Sequence, residues 1–169
     1  SGSVYGVSKK NKVDENSSLI PISDYNKTKM VGEKLVQSYQ NFFDTIILRP
    51  GTVCGLSKSL RLDLTVNAMT YTALKNKMIN VNGGNQIRPH VHMDDMTNAY
   101  LFFLNKKNIN GVYNIGFENH SIMNIAKMIN ERLSGISIKK NKSTDPRSYR
   151  LYSNKILKIG FKPIKSINT

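Results

Sequence analysis

Apolar positions in this chain follow two periods that alternate along its length. From Ser23-Asp24, where both residues can cap free N–H groups, a stretch to about Tyr39 carries Met30, Leu35 and Val36 and predicts a helix. Thr45-Ile46-Ile47-Leu48 is a short β-branched apolar run, the pattern of a strand buried on both faces. Pro50-Gly51 and Gly55 mark its turn-rich exit. Leu62, Val66, Met69, Ala73 and Leu74 recur at helical spacing over about 62–76, and Ile79-Asn80-Val81 then reads as a short strand ahead of Gly83-Gly84. His90-Val91-His92 is extended, and Asp94 or Asp95 can cap an apolar helix over 96–104. A further strand covers 112–116, and Ser121 caps a helix to about Leu133 with Ile122, Ile125, Ile129 and Leu133 on one stripe. A short helix over 153–159 is stopped by Gly160, with Pro163 beyond. At the front, Ser3-Val4-Tyr5-Gly6 reads as the end of a strand, and the polar residues 7–22, with Pro21, as loop. Strands interleaved with helices predict an α/β fold with parallel pairing.

Composition narrows this picture. At 169 residues, 39% hydrophobic and 21% charged, the chain suits one domain with one core. It has no unbroken apolar stretch long enough to cross a bilayer, so no membrane role is expected. It opens Ser-Gly-Ser without an initiator Met or a charged-then-apolar leader, so no secretory signal is expected and residue 1 does not read as a natural start. A single cysteine, Cys54, can form neither an internal disulfide nor a thiolate metal cluster, which fits a reducing, cytoplasmic setting. The formal charge of +14 raises nucleic-acid binding as a class. The lysines, however, are scattered (Lys9, Lys10, Lys12, Lys27, Lys34, Lys58, Lys75, Lys77, Lys106, Lys107), with one dense stretch, Lys139-Lys140-Asn141-Lys142. No helix-turn-helix, zinc-finger or RNP pattern accompanies them, so they read as solvated surface whose field would help collect an anionic small substrate.

Tyr25-Asn-Lys-Thr-Lys29 is the first candidate for chemistry. A spacing of four puts both side chains on one helix face, and an ammonium beside a phenol stabilises the phenolate. Such a Tyr can serve as acid and base at a hydroxyl. His90 and His92, with Asp94 and Asp95 nearby, share one face of an extended segment and make a metal site geometrically possible; the strand-and-cap reading is preferred, and no metal is expected. Arg49 reads as a structural ion-pair partner and Cys54 as a small buried filler. Tyr5, Tyr71, Tyr113 and Tyr149 read as core or pocket lining.

Six motifs then fall in order: Ser1-Gly-Ser-Val-Tyr-Gly6, Pro21-Ile-Ser-Asp-Tyr25-Asn-Lys-Thr-Lys29, Leu48-Arg-Pro-Gly-Thr-Val-Cys-Gly55, Arg88-Pro-His-Val-His-Met-Asp-Asp95, Val112-Tyr-Asn-Ile-Gly116 and Leu157-Lys-Ile-Gly-Phe-Lys-Pro163. Together they resemble the extended short-chain dehydrogenase/reductases, specifically the NAD-dependent epimerase/dehydratase group, over nearly the whole chain. The resemblance implies the C-terminal part of a Rossmann-type parallel sheet (1–57 and 88–106) and a small α/β substrate subdomain (58–87 and 107–169). It implies Tyr25 as general acid/base, Lys29 as its electrostatic partner and ribose ligand, and Ser1 as the hydroxyl that bonds the reacting sugar, with Ser3 a polar alternative. Pro50, Gly51, Thr52 and Val53 would approach the nicotinamide of NAD. Arg88, Arg147 (with Arg150 competing) and Asn67 would contact the phosphates of a nucleotide-sugar. It also implies a homodimer through the Tyr25/Lys29 helix.

One departure limits those expectations. The family opens with a strand and a G-x-x-G-x-x-G turn that seats the dinucleotide pyrophosphate, and these 169 residues contain no such turn; Gly83-Gly84 is the only glycine doublet. The chain is therefore expected to lack the N-terminal cofactor half, to be inactive alone, and to complete its exposed sheet with a second copy, a separate N-terminal chain or a rearranged partner. Gly2-Ser3 stands where dehydratases usually place Asp-Glu after the Ser/Thr, which favours 4-epimerisation over dehydration or reduction. The alternative is a non-catalytic module that binds anionic nucleotides through Arg88 and Arg147.

Overall fold

Ser23 starts a helix as its side chain allows: its Oγ accepts the Asn26 N–H at 3.2 Å, and α1 runs Asp24–Ser38. The computed structural model describes residues 1–8 and 12–168; Lys9 and Lys10, and part of the loop expected over 7–22, lie outside the described residues. Among the described residues the elements that follow the chain are β1 (Lys12–Val13), α1, β2 (Ile46–Pro50), β3 (Thr52–Cys54), α2 (Thr65–Asn76), β4 (Met78–Asn82), β5 (Ile87–His92), α3 (Met93–Leu104), β6 (Gly111–Ile115), β7 (Glu118–Ser121), α4 (Ile122–Arg132), β8 (Ser137–Asn141), β9 (Arg150–Leu151) and α5 (Asn154–Lys158). The fold is α/β, and its pairing is largely parallel: β2 with β6, β3 with β5, β4 with β8 and β1 with β9, while β7 joins β5 antiparallel.

Two layers of packing organise the chain. Helices α2 and α4 close over β4 through Met69, Ala73, Ile79, Val81, Ile122, Ile125 and Ile129. Each such fully buried aliphatic side chain contributes roughly 1.5–3 kcal/mol. Helices α3 and α5 close over β5 and β6 through Val91, Met96, Ala99, Phe103, Tyr113, Ile115 and Ile156. A small third cluster of Tyr5, Val13, Tyr149 and Leu151 packs behind the first residues. The C-terminal strap crosses both main layers. Asp95 accepts the N–H groups of Ile164 and Lys165, Glu118 accepts those of Ile167 and the Ser166 hydroxyl, and Ile167 packs on the α2/α4 layer.

Several expectations change. Residues 2–5 form a 3₁₀ turn rather than a strand end. At its exit Gly6 holds φ +58°, and a Cβ there would sit 1.7 Å from the Ile20 carbonyl oxygen, so only glycine fits. β2 is buried on alternate positions and not on both faces, because Ile46 and Leu48 are only partly covered. α3 begins at Met93, and its cap is His92, whose Nδ1 accepts the Asp94 N–H, while Asp95 is committed to the strap. The lysine-rich stretch forms much of β8, which among the described residues is an edge strand paired only with β4, where charge discourages further strand addition. The strand 111–115 hydrogen-bonds along the full length of β2.

Arg49 is the buried link between layers. Its Nε and Nη2 donate to Glu33 Oε2 of α1 at 2.9 and 2.8 Å, and its Nη1 donates to the Tyr5 hydroxyl at 2.9 Å. Removing one partner strands a charge in a dry site. We expect Arg49→Met to lower unfolding free energy in urea by about 3–5 kcal/mol, and Glu33→Met/Arg49→Met to lose clearly less; equal losses would contradict the pairing.

Candidate functional site

The exits of several elements converge on one cleft of about 480 Å³. The 3₁₀ turn brings Ser1 and Ser3 to it, their hydroxyls 2.8 Å apart. β2 ends in Pro50, and the chain crosses the floor as Pro50, Gly51, Thr52 and Val53. Gly51 donates its N–H to the Ile115 carbonyl at 2.9 Å, and a Cβ on it would lie 2.7 Å from the Pro89 carbonyl oxygen. The close passage of β5 beneath this floor therefore requires glycine.

The first turn of α1 sets Tyr25 at the rim. It is 57% exposed and lines the cleft, while its neighbour Asn26 is buried. Lys29 lies one turn on with its Nζ 5.5 Å from the Tyr25 ring centroid. The ammonium is thus on the helix face expected from the spacing, but Lys29 is not among the cleft-lining residues.

At another wall stand Arg88 and Arg147, both lining the cleft. Arg147 grips Asp145 bidentately, Nε to Oδ1 at 2.8 Å and Nη2 to Oδ2 at 2.7 Å; Arg88 Nη2 donates to the same Oδ2 at 2.7 Å, and its Nη1 donates to the Arg147 carbonyl. Hydrogen bonds from Arg147, then the charge of Arg88, hold the Asp145 carboxyl well below the usual carboxylate range. Two guanidiniums share one carboxylate, which leaves a net positive pole of fixed geometry, suited to an anion with paired oxygens. Arg150 lies exposed on β9, away from this wall.

Asn67, in the first turn of α2, also lines the cleft, with its carboxamide engaged: Oδ1 accepts the Gly55 N–H at 3.2 Å and Nδ2 donates to the Arg61 carbonyl at 3.1 Å. The N-cap residue of α2 is Leu64, which offers no side-chain acceptor to the first turn. The cleft thus brings together every site residue expected from the sequence except Lys29, which stands just outside. It adds Ser57, Ser59, Arg61 and Met93, and it takes in Tyr149, expected as core or pocket lining. A signal for three of them was present: in Leu56-Ser57-Lys58-Ser59-Leu60-Arg61-Leu62 the leucines and the polar residues fall largely on opposite parities.

The remaining candidates are used elsewhere. His92 caps α3. His90 is fully buried, with the His120 ring 6.4 Å from its own. Cys54 is buried, its Sγ–H directed at the Val91 carbonyl, and burial pushes its thiol up to about 12, which suits a filler and not a nucleophile.

A family model described as the NAD dependent epimerase/dehydratase family matches residues 1–116. Over 138 residues the chain is 36% identical to an uncharacterized UDP-glucose epimerase, YtcB, of Bacillus subtilis, covering 79% of this chain and 42% of that protein. Over 119 residues it is 34% identical to a putative UDP-glucose 4-epimerase of Methanocaldococcus jannaschii, covering 68% of this chain and 38% of that one. Its structure matches the crystal structure of a UDP-glucuronic acid 4-epimerase from Bacillus cereus, in complex with UDP-glucuronic acid and NAD, at a TM-score of 0.85 and 32% identity, over 98% of this chain and 55% of that one. The fold alone is shared with a dTDP-glucose 4,6-dehydratase from Bacillus anthracis, at a TM-score of 0.84 and 23% identity, over 99% of this chain and 56% of that one. The chain thus spans roughly half, or less, of the length of the proteins it matches.

Burial, and secondarily the charge of His120, holds His90 at about 4, below its ordinary value near 6.5. The unfolded chain therefore binds the extra proton first, and stability is lost as pH falls from about 6.5 through 4. The loss at completion is on the order of 3 kcal/mol. Urea midpoints measured across this window should fall more steeply for the wild-type chain than for His90→Phe; parallel curves would show that His90 is not the group responsible.

Proposed function

This chain belongs to the NAD dependent epimerase/dehydratase family, and on that premise we propose that it forms the acid/base and substrate-binding part of an NAD-dependent nucleotide-sugar 4-epimerase. The observation that carries the reading is the single cleft shared by Ser1, Ser3, Tyr25, the 50–53 floor, Arg88 and Arg147. Gly2-Ser3 after the first serine favours epimerisation over dehydration or reduction, and relatives described as epimerases at 32% to 36% identity support it.

In this reading Arg88 and Arg147 hold the pyrophosphate, with Asn67 and the uncapped start of α2 beside them. Ser1, with Ser3, orients the sugar hydroxyl, and Tyr25 Oη takes the 4-hydroxyl proton and later returns it. Lys29 stands beside the ring, its Nζ 5.5 Å from the centroid. The 50–53 floor and Lys29 fit the nicotinamide-ribose end of NAD, which supplies a reversible hydride acceptor when bound. The rest of the dinucleotide finds no glycine-rich turn within these 169 residues. We therefore propose that turnover needs a nucleotide-binding half beyond this chain, and that the chain alone binds nucleotide without turnover.

For assembly we propose a second copy through α1, beside that N-terminal half. Val31, Leu35, Tyr39, Phe42 and Phe43 are exposed on α1 and the turn after it, and apolar surface of that kind calls for a cover. No described helix is long and apolar enough to cross a membrane, and we propose a cytoplasmic location.

Calorimetric titration of UDP-glucose should give binding that Arg88→Ala weakens about tenfold or more, as loss of a charge-assisted contact implies. Equal affinity in both would sink the phosphate assignment. In the polypeptide that supplies the nucleotide-binding half, Tyr25→Phe should lower kcat for 4-epimerisation about 10²–10⁴-fold with UDP affinity unchanged; activity retained in that variant would remove Tyr25 from the chemistry.

A further inference from the structure

The 3₁₀ turn Gly2–Tyr5, with its cap Ser1, carries the serines of the cleft, and so short a turn depends on outside contacts to hold its place. On one side Gly2 rests on the floor: a Cβ added there would lie 2.7 Å from the Pro50 carbonyl oxygen. On another, the Tyr149 hydroxyl donates to the Gly2 carbonyl at 3.0 Å in a buried contact. Burial pushes that hydroxyl up to about 12, so it keeps its proton and acts as a donor. The Tyr149 ring is buried edge-on to Tyr5, their centroids 6.3 Å apart, in the cluster behind the first residues.

The backbone of Tyr149 is fixed as well. Its N–H donates to the Ile87 carbonyl at 3.2 Å, and Ser148 Oγ accepts the Ile87 N–H at 3.0 Å, which clips residues 148 and 149 to the first residue of β5. Arg88 is the next residue of β5, Arg147 precedes Ser148, and Asp145 joins the two guanidiniums. Tyr149 therefore reaches from the segments that hold both arginines to the Gly2 carbonyl, between Ser1 and Ser3, and it lines the cleft with all four of those side chains.

We propose that Tyr149 is a positioning residue: its hydroxyl holds the Ser1/Ser3 turn at a fixed span from the Arg88/Arg147 wall. This rests on the nucleotide-sugar reading of the cleft and deepens it. Phosphates held by the arginines set where the sugar begins, and the reacting hydroxyl meets Ser1 only if the turn keeps its distance from them. Tyr149 takes no proton from the sugar in this role; it keeps two binding ends in register. An error of about 1 Å in such a span can lower turnover by about 10²-fold, and loss of one hydrogen bond relaxes the span without abolishing it.

Tyr149→Phe removes the donor and keeps the ring against Tyr5. Hydrogen exchange is read in the 169-residue chain, and kinetics in the polypeptide that supplies the nucleotide-binding half. Exchange of the Val4 and Gly6 amides, which bond the Ser1 and Ser3 carbonyls, should rise about tenfold. For 4-epimerisation of UDP-glucose, kcat should fall about tenfold, while competitive inhibition by UDP stays within about twofold and kcat keeps its pH profile. A kcat within about twofold of wild type overturns the proposal, and so does unchanged exchange. UDP inhibition weakened as much as kcat would make Tyr149 a support of the phosphate wall alone, and a displaced pH profile would make it a proton-transfer group; either result also overturns it. A wild-type enzyme that neither turns over UDP-glucose nor is inhibited by UDP refutes the nucleotide-sugar reading and the span with it. Exchange alone then reports whether the hydroxyl holds the turn.

Discussion

Arg49 of β2 is 4% exposed, and its guanidinium ties that strand to two other parts of the chain, the Glu33 carboxylate of α1 and the Tyr5 hydroxyl of the 3₁₀ turn. Each of those parts delivers something to the cleft. α1 carries Tyr25, the 3₁₀ turn carries Ser1 and Ser3, and β2 runs into the floor at Pro50. A charge this deep tolerates little displacement, because every shift of α1 against β2 leaves Glu33 or Arg49 without its partner in a poorly solvated site. The helix has few other buried contacts to β2, since its buried residues are Asn26 and Glu33. The position of the acid/base candidate is therefore set by electrostatics more than by apolar packing.

A second polar joint works another wall of the cleft. Asp145 lies far along the chain from Arg88, yet it orients both Arg88 and Arg147, and Tyr149 completes that corner by donating its hydroxyl to the Gly2 carbonyl at 3.0 Å. The formal charge of +14 thus resolves into two kinds of cation. Most lysines are solvated, including those on edge strand β8, whereas Arg88 and Arg147 of the cleft are held in place by a single carboxylate, Asp145. Only the second kind has the fixed geometry that recognition of a phosphate needs.

The long helices and the strands β2, β4, β5 and β6 were legible because each carries its own periodic pattern and cap. α4 is the clearest, with Ser121 before an isoleucine stripe. β1 and β9 are two-residue pairings, and β7 is Glu-Asn-His-Ser, all set by their partners and without an internal period. The cap of α3 was misread because Asp95 looks like a cap locally and is drawn instead to Ile164 and Lys165, a contact about 70 residues away that no local rule contains. For the cleft, ordered motifs brought out Ser1, Tyr25, the 50–53 floor and the two arginines. Ser57, Ser59 and Arg61 stayed hidden because their alternation shows that they share a face but not which face meets Tyr25.

The strap over residues 164–168 has a consequence for how the molecule comes apart. Asp95 belongs to the α3 layer, Glu118 to β7, and Ile167 and Asn168 to the α2/α4 layer, where Asn168 accepts from Arg132. A few consecutive residues therefore stitch two hydrophobic clusters together. Loosening either cluster strains the stitch to the other, which couples the two on unfolding. The tail thus sets the size of the cooperative unit while burying little apolar surface of its own.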